Sequence, residues 1–87
     1  MTNEKDVKEI FRIVSEEFSI TIEDMLSKSR DSKLSDARKK LCYLLRDKGY
    51  SHKQIGELLN RDRTTAIYLV KQYENEQYVH SLKINFK

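Results

Sequence analysis

Val7, Ile10, Phe11, Val14 and Phe18 recur at the i, i+3, i+4, i+7 and i+11 spacing, which lays one apolar stripe along a helix. The spacing predicts a first helix over about residues 3–18, with an acidic and lysine-rich outer face. Thr21 stands three residues before Asp24, the arrangement of a capping box, and predicts a short second helix anchored by Met25 and Leu26. The polar run SKSRDSK, residues 27–33, reads as a loop. Leu34, Ala37, Leu41, Leu44 and Leu45 mark a third helix that carries Arg38, Lys39, Lys40 and Arg46 on its other faces and closes at Gly49. Ser51 and Gln54 repeat the capping-box spacing and start a fourth helix over about residues 52–59, with Ile55, Leu58 and Leu59 inward. Gly56 sits inside it at a cost of about 1 kcal/mol relative to alanine, and is expected where another helix comes close. After the turn Asn60-Arg61-Asp62, a fifth helix buries Ala66, Ile67, Leu69, Val70 and Tyr73. Tyr78, Val79, Leu82 and Phe86 suggest a sixth helix folding back over the core.

Composition agrees with this pattern. The chain has 87 residues, no proline and two glycines, and its 38% hydrophobic content suffices for one modest core. The expectation is one all-α domain over residues 1–87, a compact bundle of about five to six helices. A lone Cys42 has no partner for a disulfide or a metal knuckle and reads as a buried, inert thiol in a reducing setting. His52 and His80 are far apart and lack a carboxylate or cysteine cluster at ligand spacing, so no metal is expected. Neither a Ser-His-Asp nor a paired-carboxylate constellation can be assembled, which argues against an enzyme and against a cofactor. The five tyrosines read as core edges. The polar opening MTNEKDVKEI and the lack of a long apolar run exclude a secretory signal there and a membrane helix, and lead to the expectation of a cytoplasmic protein.

Charge is unevenly distributed. Residues 1–27 carry three Lys/Arg against seven Asp/Glu, residues 28–63 eleven against five, and residues 64–87 three against two, giving balances of −4, +6 and +1. A basic centre beside an acidic flank suits a domain that turns one face to a polyanion.

The segment NRDRTTAIYLVKQY, residues 60–73, sharpens that idea. Asp62 is a favoured helix N-cap, yet Arg63 in the first turn opposes the positive end of the helix dipole, at roughly 0.3 to 1 kcal/mol. A partner outside the helix would account for it. Two short helices joined by a tight turn, the second opening with polar and basic residues, follow the logic of a helix-turn-helix, whose second helix enters the DNA major groove. Arg63 could fork onto guanine, while Thr64 and Thr65 could offer hydroxyl or methyl groups to base edges.

DMLSKSR, ARKKLCYLLRD and YSHKQIGELLNRDRTTAIYLVKQYE occur in the order and spacing of the C-terminal, Trp-repressor-like DNA-binding domain of DnaA, the bacterial chromosomal replication initiator. The chain resembles that family from about residue 8 into the final helix. IGELLNRDRTTAI is its most specific part, similar to a signature of Ile-Gly, a hydrophobic pair, Arg-Asp-His-Thr-Thr and an aliphatic residue. The resemblance implies that Arg30 enters an adjacent minor groove from a basic loop, and that Arg63, Thr64 and Thr65 touch bases. It implies backbone contacts from Arg38, Lys39, Arg46, Lys53 and Arg61, with Lys71 able to reach a phosphate two turns along the last motif helix, and a structural cap at Asp62. It also implies a monomer on a non-palindromic site of double-stranded DNA.

Two departures bear on specificity. Arg63 replaces the signature histidine, exchanging an imidazole for a longer, permanent cation, and Asp31 and Asp36 dilute the basic loop. The sequence also lacks the GxxxxGK[ST] segment of the initiator's ATPase module. It opens on methionine, which suits a whole protein using the DNA-binding domain alone and equally a domain excised from a longer one. The reading is a small bacterial or phage regulator of replication or transcription. The alternative is an interaction module that engages a replication protein without reading DNA. An RNA binder is weaker, for want of a strand platform or a Gly-rich RNA loop.

Overall fold

The computed structural model describes residues 4–29 and 31–85, with side chains over 5–29 and 31–77. Five helices follow one another, α1 (Glu4–Phe18), α2 (Ile22–Leu26), α3 (Ser32–Asp47), α4 (His52–Leu58) and α5 (Arg63–Asn85), and no strand occurs among the described residues. The protein is all-α. The third helix is the hub, with α1, α2, α4 and α5 all packed against it, while α4 also lies along α5.

The core is the one the apolar spacing predicts. Ile10, Phe11 and Val14 of α1 meet Met25, then Ala37, Leu41, Cys42 and Leu45 of α3, Ile55 and Leu59 around α4, and Ala66, Leu69 and Val70 of α5. Each residue comes from the same face of its helix, so one contiguous cluster forms. Tyr43 and Tyr73 join α3 to α5 with ring centroids 4.8 Å apart. Lys40 adds an ion pair to Glu17 that ties α3 to α1.

Three helices end in the same device. At each end one residue turns left-handed, Ser19 (φ 54°), Gly49 (φ 104°) and Asn60 (φ 58°). The next residue's N–H reaches back five positions: Ile20 to the Ser15 carbonyl at 3.1 Å, Tyr50 to Leu45 at 3.2 Å and Arg61 to Gly56 at 2.7 Å. Each is a Schellman cap, which satisfies terminal carbonyls and turns the chain sharply. Only Gly49 was legible beforehand, because serine and asparagine take this conformation less readily than glycine.

Helix starts follow the predicted side chains and one that was misread. Thr21 accepts from the Asp24 N–H at 3.0 Å, and Ser51 and Gln54 close a reciprocal capping box. Asp31, expected to dilute a basic loop, instead caps α3 by accepting from the Lys33 N–H at 2.9 Å. The loop is therefore shorter than residues 27–33, since α3 begins at Ser32.

Two further expectations need correction. No sixth helix folds back, because α5 runs without a break for 23 residues. Residues 74–77 are Glu-Asn-Glu-Gln with neither glycine nor proline to end a helix. The apolar positions 78, 79 and 82 merely change phase relative to 66, 69, 70 and 73, and that change suggested a second helix. Their side chains, and Phe86, lie outside the described residues. Gly56 does accommodate a close neighbour, but that neighbour is the turn leading into α5 rather than another helix. A Cβ there would stand 2.8 Å from the Arg61 carbonyl oxygen and 2.9 Å from the carbonyl of Asp62.

Candidate nucleic-acid interface

The Schellman cap on α4 aims the chain directly into α5, so residues 59–62 make a tight turn between two helices packed on each other. This is the helix-turn-helix geometry the sequence predicts. Asp62 caps the second helix. One carboxylate oxygen accepts from the Thr65 N–H at 3.1 Å and from the Thr65 hydroxyl at 2.8 Å. The Thr65 hydroxyl, followed by its backbone N–H, holds the Asp62 carboxyl below the usual aspartate range. Thr65 is half-buried, and its hydroxyl proton is donated to the cap carboxylate.

Arg63 and Thr64 differ from Thr65. Both are exposed on the first turn of α5, and Arg63 enters no ion pair among the described residues. Thr64, Tyr68 and Lys71 follow at i, i+4 and i+7 and are all exposed, so they form one outward stripe. Tyr68 is 59% exposed. Among the described residues it is the tyrosine for which the core-edge expectation fails, and its spacing from Thr64 and Lys71 is the signal that could have placed it outside. Tyr50 is buried, while Tyr43 and Tyr73 are half-buried as core edges.

The basic residues expected at the DNA backbone divide into two sets. Arg46 and Lys53 are exposed, on the last turn of α3 and the first of α4, and Arg46 also donates to the Tyr50 carbonyl at 3.1 Å. Lys71 is exposed. Arg38, Lys39 and Arg61 are engaged with the protein itself. Lys39 holds Glu76 of α5 at 2.7 Å and Asp36 at 3.6 Å, with its side chain 16% exposed. The bond from Glu76, against the opposing effect of burial, raises its pKa.

Arg38 is only 6% exposed. Its Nε donates to the Met25 carbonyl at 2.7 Å, one Nη to Ser29 at 2.9 Å, and the other to Asp24 at 3.2 Å and Ser27 at 2.7 Å. Four of its five donors are thus engaged with the end of α2 and the loop after it. Such a side chain has little surface left for a phosphate. Burial, then the like charge of Arg61, disfavours its charged form. Arg61, in the turn, donates to the Leu59 carbonyl at 2.8 Å and across to the Ser27 carbonyl. Sequence position alone gives all these cations the same appearance; only packing separates the exposed from the engaged.

An open cleft of about 560 Å³ separates the loop from the turn, with Lys28 and Ser29 on one wall, Asn60, Arg61 and Asp62 on the other, and Arg38 between. Arg30, expected to enter the minor groove, lies outside the described residues.

The model of the bacterial DnaA helix-turn-helix family matches residues 7–72. The chain belongs to that family. The match runs from the first turn of α1 past Lys71 and includes the loop after α2, all of α4, the turn that Gly56 and Asp62 shape, and α5 as far as residue 72. The DnaA helix-turn-helix is a DNA-binding domain, so double-stranded DNA is the partner class for this chain, and replication initiation is the family's setting. No solved structure matches the chain. No described helix is long and apolar enough to cross a membrane.

Proposed function

We propose that this protein binds double-stranded DNA with sequence preference, laying the start of α5 in the major groove and the loop around Arg30 along the adjacent minor groove. The observation that carries the reading is the division of labour on the first turn of α5. Asp62 and Thr65 close the cap on each other, while Arg63 and Thr64 stay exposed at the helix end that reads bases in a helix-turn-helix.

Arg63 is the discriminating contact, forking onto guanine O6 and N7. Thr64 meets the neighbouring base edge, and Tyr68 and Lys71 extend the contact along the groove wall. Arg46 and Lys53 take phosphates. Arg38, Lys39 and Arg61 serve the interface by holding it together rather than by touching DNA. The protein acts as a monomer on a non-palindromic site, in the cytoplasm, as a small regulator of replication or transcription.

Selection of bound duplexes from a randomised library, at two salt concentrations and with Arg63→Ala alongside, tests this. An enriched motif that loses one defined base pair in the variant is expected. Weak binding with no enriched motif, vanishing as salt rises, would overturn the sequence-reading role and favour a module that engages a replication protein.

A further inference from the structure

The two guanidinium groups that converge on the Ser27 carbonyl come from different parts of the fold. Arg38 belongs to α3 and Arg61 to the turn of the helix pair, and their bonds to Ser27 span 11 and 34 residues of sequence. Arg61 also holds its own turn through the Leu59 carbonyl, and Arg38 holds the loop on its far side through Ser29. Loop and turn, which face each other across the cleft, are thereby joined at one oxygen atom. Two cations on one acceptor repel each other, and the charge of Arg61 disfavours the charged form of Arg38. Both nonetheless keep this geometry, because the planar fork of Arg61 spans two carbonyls at once and that of Arg38 four.

We infer that Arg61 is a positioning residue that fixes the separation between the two DNA-reading elements, the loop after α2 and the start of α5, by clamping Ser27 together with Arg38. This rests on the DNA-binding reading above. Adjacent base pairs are stacked about 3.4 Å apart, so two elements reading neighbouring grooves share one register only if their separation holds to well within that distance. Arg38 alone would tie the loop to α3 but leave it unjoined to the turn, and the register would drift. The clamp removes that freedom without itself touching a base, and makes the combined motif rigid in spacing.

Arg61→Lys is the test, because lysine keeps the charge but cannot fork between Leu59 and Ser27. Thermal melting first confirms that the variant folds. Amide exchange at residues 27–29, measured without DNA, should quicken by about tenfold, the scale of one lost charge-assisted hydrogen bond. In duplex selection the bases read by α5 should persist, while those at the loop end lose definition or spread over more than one spacing. The salt dependence of binding should be unchanged, because no phosphate contact is removed. Unaltered loop exchange would overturn the clamp. A motif intact at both ends and in one register would overturn its effect on reading. In Arg61→Gln, which removes the charge as well, uniform loss of affinity with a salt slope smaller by about one would instead make Arg61 a phosphate contact. If the wild type enriches no motif, the DNA-reading proposal fails and this inference with it, while the exchange measurement still decides whether the clamp exists.

Discussion

The carbonyl of Asp62 lies against the α-carbon of Gly56, so close that a Cβ at position 56 would stand 2.9 Å from it. The residue that caps α5 is thereby seated on the helix before it. Arg61, between them, donates its N–H to the Gly56 carbonyl at 2.7 Å. Both contacts involve backbone, which cannot rotate out of the way as a side chain would.

Gly56→Ala should therefore destabilise the protein even though alanine favours a helix by about 1 kcal/mol. Displacing the turn is expected to cost more than that gain, leaving a net loss of roughly 1 to 3 kcal/mol, the usual range for overpacking. Chemical denaturation would show it as a lower midpoint. A variant as stable as the wild type would mean that the turn yields freely.

Arg63→Ala and Lys53→Ala should weaken DNA binding in different ways. Loss of Arg63 is expected to cost about 1 to 3 kcal/mol at one base pair and to relax specificity there. Loss of Lys53 should weaken all sequences alike and flatten the salt slope by about one unit. Equal effects of the two substitutions on selected and random duplexes would refute the division into base and phosphate contacts.

Arg38→Ala should act on folding before it acts on DNA. The Met25 and Ser29 carbonyls lose the Arg38 donor, while Ser27 keeps Arg61 and Asp24 keeps the Ser27 N–H and hydroxyl, and hydrogen bonds to a charged group contribute about 1.5 to 3 kcal/mol each at most. A net loss of about 3 kcal/mol is expected, read as a lower Tm in the absence of DNA. An unchanged melting curve would return Arg38 to the phosphate-contacting set.

Asp62 supplies a pH test. Its folded pKa lies below the ordinary carboxylate value, through the Thr65 hydroxyl first and the Thr65 N–H second. The cap's contribution is therefore present above the unfolded carboxylate pKa and is lost as pH falls through the depressed folded value. The Thr65 amide resonance should titrate with a midpoint below 3.8. Thr65→Val, which keeps shape but removes the hydroxyl, should move that midpoint upward; no movement would show that the side-chain bond is not its cause.

Cys42 should be silent to thiol reagents in the folded state. It is fully buried in α3, and desolvation pushes its pKa up to about 12. Labelling at pH 8 is expected only at the rate of unfolding and should become immediate in denaturant. Prompt labelling of the native protein would show that the thiol is accessible.

How much of this was legible in the sequence differs from residue to residue. The stripe of Val7, Ile10, Phe11 and Val14, the box of Ser51 with Gln54, the stop at Gly49 and the cap at Asp62 follow from local spacing, because helices repeat every few residues and satisfy their ends with near neighbours. The helix pair was legible for the same reason, and so was the likeness to the DnaA domain. The sequence by itself thus determined five helices, the core and the kind of partner, though not the unbroken run of α5 or the start of α3. It could not determine which cations face outward. Arg38 and Arg46 look alike in the chain, yet one is enclosed by carbonyls up to 14 residues away and the other is exposed. Lys39 is bound by Glu76 from 37 residues further on, and Arg61 by a loop oxygen 34 residues back. A charge is assigned to the interior or the surface by partners that only folding brings within reach, and that decision belonged to the tertiary structure.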